Sequence, residues 1–291
     1  MAVAPLRALV EAGFEIALVV SRPDAKRGRG SGLTPSPVKA AALELGLPVT
    51  SRVDDVIGAG ADLGVVVAFG RIIKPHVLDA LPMVNLHFSL LPRWRGAAPV
   101  ERAILAGDVR TGVCLMDVAE GLDTGGVRAE AELDIGADET ADELRVRLVE
   151  AGIGLLLHGL QAGLYPAAPQ MGEPTNADKI DPAELRLDWE RPAIELHRRV
   201  RVGGAHTSWR GKRLKVWRSH VVDHGALGWM RDEGHLVGSP RPGTLIPSGV
   251  VTGDGVLELV EVQPEGKGRM DAGAWRRGLQ PPPGPDDVLG S

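Results

Sequence analysis

Three residues have the types and spacing to do chemistry together: Asn85, His87 and Asp123. Asn85 and His87 stand two apart in Asn85-Leu-His87-Phe-Ser89-Leu90-Leu91-Pro92. In an extended segment, residues so spaced point to the same face. Asp123 lies in the glycine-flanked turn Gly121-Leu-Asp-Thr-Gly125. A carboxylate facing an imidazole orients the ring and favours its charged form. An amide donor, a base and an orienter of that base are what acyl-group transfer requires. Singly, each has a plainer reading. His87 could be a hydrogen-bonded structural histidine, Asn85 a strand-end residue and Asp123 a turn-former. The joint arrangement is what points to chemistry.

Such a site needs a sheet edge to carry it. Leu63–Phe69 is an apolar run that reads as a buried strand, and Met83–Phe88 reads as the next strand, ending in the Asn85/His87 pair. Further strands are expected at 15–20, 49–50, 112–118 and 126–133. Helices are expected at 5–12, 38–45, 74–80, 99–105 and 140–164, the last being the longest. Strands alternating with helices predict an α/β, doubly wound, mostly parallel sheet, whose strand ends are where ligands bind. Residues 166–190, rich in Pro, Asn, Gly and Asp, read as a linker after a catalytic domain of residues 1–165. From 191 to 280 a short helix at 192–201 precedes short strands at 213–217, 243–246, 249–252 and 256–263, with Gly253-Asp254-Gly255 as a hairpin turn. That pattern predicts a small β-barrel. Residues 281–291, opening Pro-Pro-Pro-Gly-Pro, read as a disordered tail.

The chain has 291 residues, 44% of them hydrophobic, and a formal net charge of −5. Its length predicts about two domains. The single cysteine, Cys114, can form neither an internal disulfide nor a structural zinc site and reads as a small buried hydrophobe. No stretch approaches a membrane span, and Leu6–Val20 is interrupted by Arg7, Glu11 and Glu15, unlike a signal peptide. The expectation is a cytoplasmic protein, and a monomer, because no conspicuous apolar stripe is left over.

Positive charge is nevertheless concentrated in two places. Residues 22–37 hold Arg22, Lys26, Arg27 and Arg29 against the one acid Asp24. Gly28-x-Gly30-x-Gly32 lacks the Lys-Ser/Thr ending of a phosphate loop, so a mobile basic arm on a nucleic-acid backbone is the sharper reading. Residues 197–222 carry Arg198, Arg199, Arg201, Arg210, Lys212, Arg213, Lys215 and Arg218 with no acid, interleaved with Trp209 and Trp217. Two cationic concentrations on an acidic protein point to an anionic partner touched twice. The alternative for each is a solvated surface.

These residues resemble the methionyl-tRNA formyltransferase family. The resemblance rests on Asn85-x-His87-x-Ser-Leu-Leu-Pro92, Trp94-Arg-Gly-Ala-Ala-Pro99 and Gly121-Leu-Asp-Thr-Gly125, then Gly28-Arg29-Gly30 with Pro35-Ser-Pro-Val-Lys39. Further along it rests on Asp188-Trp189, Leu214-Lys-Val216, Pro242-Gly-Thr244 and Thr252-Gly-Asp-Gly255. It implies a Rossmann-like formyltransferase domain followed by a small barrel resembling the oligonucleotide-binding type. It implies transfer of a formyl group from 10-formyltetrahydrofolate, as co-substrate and without a metal, to methionyl-initiator tRNA. Asn85, His87 and Asp123 would be catalytic, and Ser89, Leu90, Leu91 and Pro92 would contact folate. Arg22, Lys26, Arg27, Arg29, Arg210, Lys212, Arg213 and Lys215 would contact tRNA. Family members begin with a strand and a Gly-Thr-Pro turn ahead of the helix near Pro5. The resemblance therefore leads to the expectation that Met1 is an internal methionine with roughly a dozen residues upstream. Two other readings remain: a formyltransferase for another amine, such as an amino sugar nucleotide or glycinamide ribonucleotide, and a non-catalytic RNA-binding protein on the same fold.

Overall fold

A computed structural model describes residues 1–26, 32–222, 241–284 and 287–290. The chain divides into two compact units. One comprises Met1–Arg102, Arg110–Asp134 and Leu144–Lys179, and the other Ala103–Val109, Ile135–Glu143 and Ile180–Ser291.

The first unit is built from α1 (Val3–Glu11), β1 (Val19–Val20), β2 (Ala25–Lys26), β3 (Leu33–Thr34), α2 (Pro37–Glu44) and β4 (Val49–Thr50). It continues through β5 (Gly64–Val67), α3 (Pro75–Ala80), β6 (Met83–His87), β7 (Arg95–Gly96), α4 (Pro99–Ala106), β8 (Arg110–Asp117), β9 (Val127–Asp134), α5 (Ala141–Ala162) and β10 (Asn176–Ala177). The expected helices and strands recur within a few residues of their sequence bounds. The main sheet runs β5-β6-β8-β9, with β5 and β6 parallel and β8 antiparallel to both its neighbours. A separate parallel pair joins β1 to β4. The doubly wound α/β architecture holds, but the sheet is mixed. One face of β6 and β8 packs on α5: a Cβ added at Gly152 would lie 3.3 Å from the side chains of Leu86 and Val113. Leu86, Leu115, Leu144 and Leu148 are fully buried there, and Cys114, on the opposite face of β8, is buried too, as the sequence led us to expect. Burial pushes the Cys114 thiol up to about 11, which leaves it without nucleophilic character at neutral pH.

Two segments differ from expectation. The strand read at 15–20 is reduced to two residues, and β5, read as buried, is half-exposed along its whole length. Both face an open cleft instead of a neighbouring strand. The stretch 166–190, read as a linker, is folded. β10 pairs in parallel with β7, and Asp181 caps the 3-10 turn Pro182–Leu185 through a reciprocal hydrogen-bond pair with Glu184.

The second unit carries α6 (Ala193–Val202), β11 (His206–Trp209), β12 (Lys212–Val222), β13 (Leu245–Ile246), β14 (Gly249–Val251), β15 (Val256–Pro264), β16 (Met270–Asp271) and α7 (Ala272–Arg277). Its strands form one antiparallel sheet in the order β11-β12-β15-β14-β13, with β16 also on β15. The barrel expected here is not closed among the described residues. Closure depends on the register between first and last strands, which local alternation does not encode. The core packs Leu196 and Val200 of α6 against Leu214, Val216, Leu257 and Val262 of the sheet, with Trp209 and Trp275 edge to face at 5.8 Å. The stretch read as a disordered tail is partly built in. Leu289, only 3% exposed, joins that core, and Val288 bridges Thr244. Two apolar residues behind a proline run gave no periodic signal.

His197 on α6 is buried. Its Nε2 lies 3.0 Å from Asp138 Oδ1 and 3.2 Å from the Ala137 carbonyl, and its Nδ1 lies 3.0 Å from the Ser219 hydroxyl. Desolvation holds its pKa below the ordinary value of 6.5. A depressed histidine stabilises the fold above its unfolded pKa, and that contribution is lost as pH falls through the folded one. Urea midpoints should therefore fall on acidification from neutral pH, and His197→Gln should flatten that slope.

Candidate active site

β6 carries both Asn85 and His87. Asn85 sits opposite Val66 of β5 and Met116 of β8, and His87 opposite Cys114. Pairing on both edges fixes this strand, and the alternation along it sends Val84 and Leu86 to one face and Asn85 and His87 to the other. Among the described residues the Asn85 amide has no hydrogen-bond partner, so its donors are available to an incoming oxygen.

His87 is almost enclosed, its side chain 6% exposed. Its Nε2 donates to the carbonyl of Trp94 at 2.9 Å, and its Nδ1 lies 3.5 Å from Asp123 Oδ2. An oxygen therefore stands opposite each ring nitrogen. The protonated ring donates to both, and the neutral ring to only one.

Asp123 is placed by a loop with several anchors. Its backbone is left-handed, with φ of 50°. Its Oδ2 accepts the Gly96 amide at 2.8 Å, so one carboxylate oxygen faces both a backbone N–H and the imidazole. Gly125 brings the loop close to the sheet: a Cβ there would lie 1.9 Å from the Asp117 carbonyl oxygen. Gly96, with φ of 128°, also lies against β10: a Cβ there would lie 2.8 Å from the Ala177 carbonyl oxygen.

Sequence reasoning missed the residue that ties these pieces together. Gln170 donates its amide to the carbonyls of both Asp123 and Gly125, each at 2.8 Å. Its Oε1 accepts from Arg95 Nε at 3.0 Å and Nη2 at 2.6 Å. Thr175 adds a second tie, its hydroxyl accepting the Trp94 amide at 2.9 Å and its carbonyl the Arg95 amide at 2.8 Å. Both lie in the stretch read as linker. The faint signal was a lone glutamine among Pro and Gly, with partners more than forty residues away. Gln170→Leu leaves two carbonyls and a guanidinium without partners, so a loss of about 1–3 kcal/mol in unfolding free energy is expected. Urea denaturation checks it, and the transfer rate should fall with it.

The segment Ser89–Pro92 lies beside this site and is taken up by the fold. Ser89 is 0% exposed and donates its hydroxyl to the Arg93 carbonyl at 2.6 Å. Leu91 packs with Cys114 and Met116, Leu90 lies over Gly112, and Pro92 is buried with its carbonyl on the Thr175 amide.

The expected nucleic-acid contacts separate into three groups. Lys26 is exposed on the stem of a hairpin formed by β2 and β3, where the sequence read only a loop, and Arg22 is exposed just before it. Arg27 and Arg29 lie outside the described residues. On β12, Arg213, Lys215 and Trp217 share the face opposite the buried Leu214 and Val216, and Lys212 is exposed at its start. Arg269 stacks on Trp217 with 3.5 Å from its guanidinium carbon to the ring centroid. Arg210 departs from expectation: it pairs with Asp287 at 2.6 Å and donates to the carbonyls of Pro281 and Pro282. Its guanidinium holds the chain end, so it is not an open cation. Among the described residues, no helix is long and apolar enough to cross a membrane.

Residues 4–160 match the formyl transferase family and residues 179–280 the formyl transferase C-terminal domain. The fold and the site together define a one-carbon group transferase, and the chain belongs to the formyl transferase family. Within it, the methionyl-tRNA formyltransferase of Symbiobacterium thermophilum is 44% identical over 94% of this chain and 88% of its own length. That of Heliobacterium modesticaldum is 42% identical over 97% of this chain and 95% of its own. Among solved structures, the N-formyltransferase of Helicobacter canadensis in complex with folinic acid and dTDP-3-aminofucose shares the fold. Its TM-score is 0.63 at 18% identity, over 90% of this chain and 95% of that one.

Proposed function

We propose that this enzyme moves the formyl group of 10-formyltetrahydrofolate onto the α-amino group of methionine carried by initiator tRNA. The observation that carries the chemistry is the unpartnered Asn85 amide on the same strand face as an imidazole backed by Asp123. Relatives near 40% identity over almost the full chain support the substrate pair.

Attack of an amine on a formyl carbon builds negative charge on oxygen and positive charge on nitrogen. Asn85 donates its amide hydrogens to that oxygen. His87, flanked by the Asp123 carboxylate and the Trp94 carbonyl, stands beside the same centre, either to hydrogen-bond that oxygen or to take the proton the attacking nitrogen loses and pass it to the departing tetrahydrofolate nitrogen. Asp123 holds the ring in register, and the Gly96 amide holds Asp123. Ser89, Leu90, Leu91 and Pro92 form the wall on the folate side, presenting backbone because the Ser89 and Leu91 side chains are buried. Arg22, Lys26, Arg27 and Arg29 in the first unit and Lys212, Arg213 and Lys215 in the second neutralise tRNA phosphates. We read the enzyme as a cytoplasmic monomer.

The test is a transfer assay with 10-formyltetrahydrofolate and charged initiator tRNA, run against an amino sugar nucleotide. Formylmethionyl-tRNA should form at a rate that falls steeply with added salt, as phosphate contacts are screened. Faster formylation of the sugar, or no dependence on salt, would overturn the reading.

A further inference from the structure

The basic segment of residues 22–35 leaves and re-enters the first unit at two buried serines, Ser21 and Ser36. Their hydroxyls are hydrogen-bonded at 2.5 Å. Each serine is also fixed from its other side. Ser21 donates its amide to the Thr50 carbonyl of β4 at 3.0 Å, and Ser36 caps α2 by accepting the Lys39 amide at 3.1 Å. α2 is a firm post, since its Ala42 is buried in one cluster with Leu6 and Val19, and its Val38 packs on that cluster. Further out, Lys39 Nζ donates to Asp24 Oδ1 at 2.8 Å, and both side chains are half-buried. Just beyond this ion pair β2 and β3 meet, Ala25 opposite Thr34 and Lys26 opposite Leu33. Each charge of the pair is misplaced for its own element. Lys39 stands in the first turn of α2, which holds no acid and where the helix dipole disfavours a cation. Asp24 is the one acid of the basic segment and by itself repels phosphate. The pairing corrects both.

We propose that Asp24 and Lys39 are positioning residues for tRNA, tying the neck of the basic segment to α2 together with the Ser21–Ser36 hydrogen bond, a role that rests on the reading of that segment as a tRNA contact. Neither residue touches phosphate itself. Lys39 neutralises Asp24, so the exposed Arg22 and Lys26 are presented from a base that carries no net negative charge. Holding the neck before tRNA arrives also lowers the conformational entropy lost when the segment docks. A half-exposed ion pair adds little to the stability of a fold, so its effect belongs in tRNA binding and not in the melting temperature.

Asp24→Asn separates this role from plain electrostatics, because the two predict opposite signs. Removing an acid from a basic segment and freeing Lys39 should strengthen the binding of a polyanion, whereas loss of the neck tie should weaken it. The expected result is a rise in KM for charged initiator tRNA of about three- to fivefold, the scale of one such ion pair. kcat, KM for 10-formyltetrahydrofolate and the melting temperature should stay as in the wild type. The swap of Asp24→Lys with Lys39→Asp rebuilds the pair in reverse and should return KM to within about twofold of wild type. Backbone amide order parameters at Ala25 and Thr34 give a readout that needs no tRNA: they should fall in Asp24→Asn and recover in the swap. An unchanged or lower KM in Asp24→Asn, a swap that restores nothing, or order parameters that do not move would each overturn the proposal. A wild type that formylates no tRNA would instead overturn the reading of the basic segment, and the order parameters would then decide by themselves whether the neck is tied.

Discussion

Replacing Asn85 by Ala should lower kcat for formyl transfer by about 10²–10³, the usual loss when one donor to a developing oxyanion is removed. KM for either substrate should move little, because the donation strengthens as charge develops on oxygen. The fold gives a reason to expect this separation. The amide makes no hydrogen bond within the described residues, so its removal leaves no buried group unsatisfied, while β6 keeps both its backbone ladders to β5 and β8. Thermal unfolding of Asn85→Ala should therefore stay close to that of the wild type. Steady-state kinetics at saturating folate, set beside a melting curve, separates a catalytic role from a structural one. A large fall in stability with a small fall in kcat would assign Asn85 to the strand and not to the reaction.

A single methyl group at Gly125 should do comparable damage by another route. The added Cβ would meet the Asp117 carbonyl at 1.9 Å, and the obstacle is backbone of β8, not the end of a flexible side chain. Asp117 is itself held by Arg128, whose Nε lies 2.5 Å from its carboxylate, so the strand cannot simply give way. The loop must lift instead, and Asp123 lies two residues away on it. Overpacking of this kind costs about 1–3 kcal/mol. Displacing a catalytic group by about an ångström costs on the order of 10² in rate. Gly125→Ala should thus lose both stability and transfer, and the Asp123 carboxylate should part from the Gly96 amide. A crystal structure of the variant with that 2.8 Å contact intact would contradict this view.

Most of what places Asn85 and His87 was readable from local pattern. The apolar run before β6, the two-residue spacing of amide and imidazole, and the glycine-flanked aspartate are all short-range signals, and they met in space with 3.5 Å between imidazole and carboxylate. What was not readable depends on contacts distant along the chain. Gln170 grips the Asp123 loop from a Pro- and Gly-rich stretch that has no helical or strand period. The two-residue ladder of β7 and β10 is too short to leave a pattern. The Trp94 carbonyl on His87 belongs to a left-handed residue, φ 63°, whose placement relies on Thr175 eighty-one positions on. In the second unit, alternation revealed the strands but not that their sheet is open among the described residues. A net of positive residues likewise gave no hint that Arg210 is matched by Asp287, because that pairing requires the chain end to fold back.

The pairing of His87 with Asp123 is tested most directly by the single-turnover rate of formyl transfer to methionyl-initiator tRNA, measured for wild type and Asp123→Asn with saturating 10-formyltetrahydrofolate. An asparagine oxygen can still accept the Gly96 amide, so the loop should stay in place while the negative charge opposite the ring is lost. The expected result is a rate lower by about 10² with an unchanged melting temperature, within the usual range for positioned proton-bearing groups. A rate within a factor of about two of wild type in a folded Asp123→Asn variant would contradict it, since a factor that small is worth less than 1 kcal/mol of transition-state stabilisation.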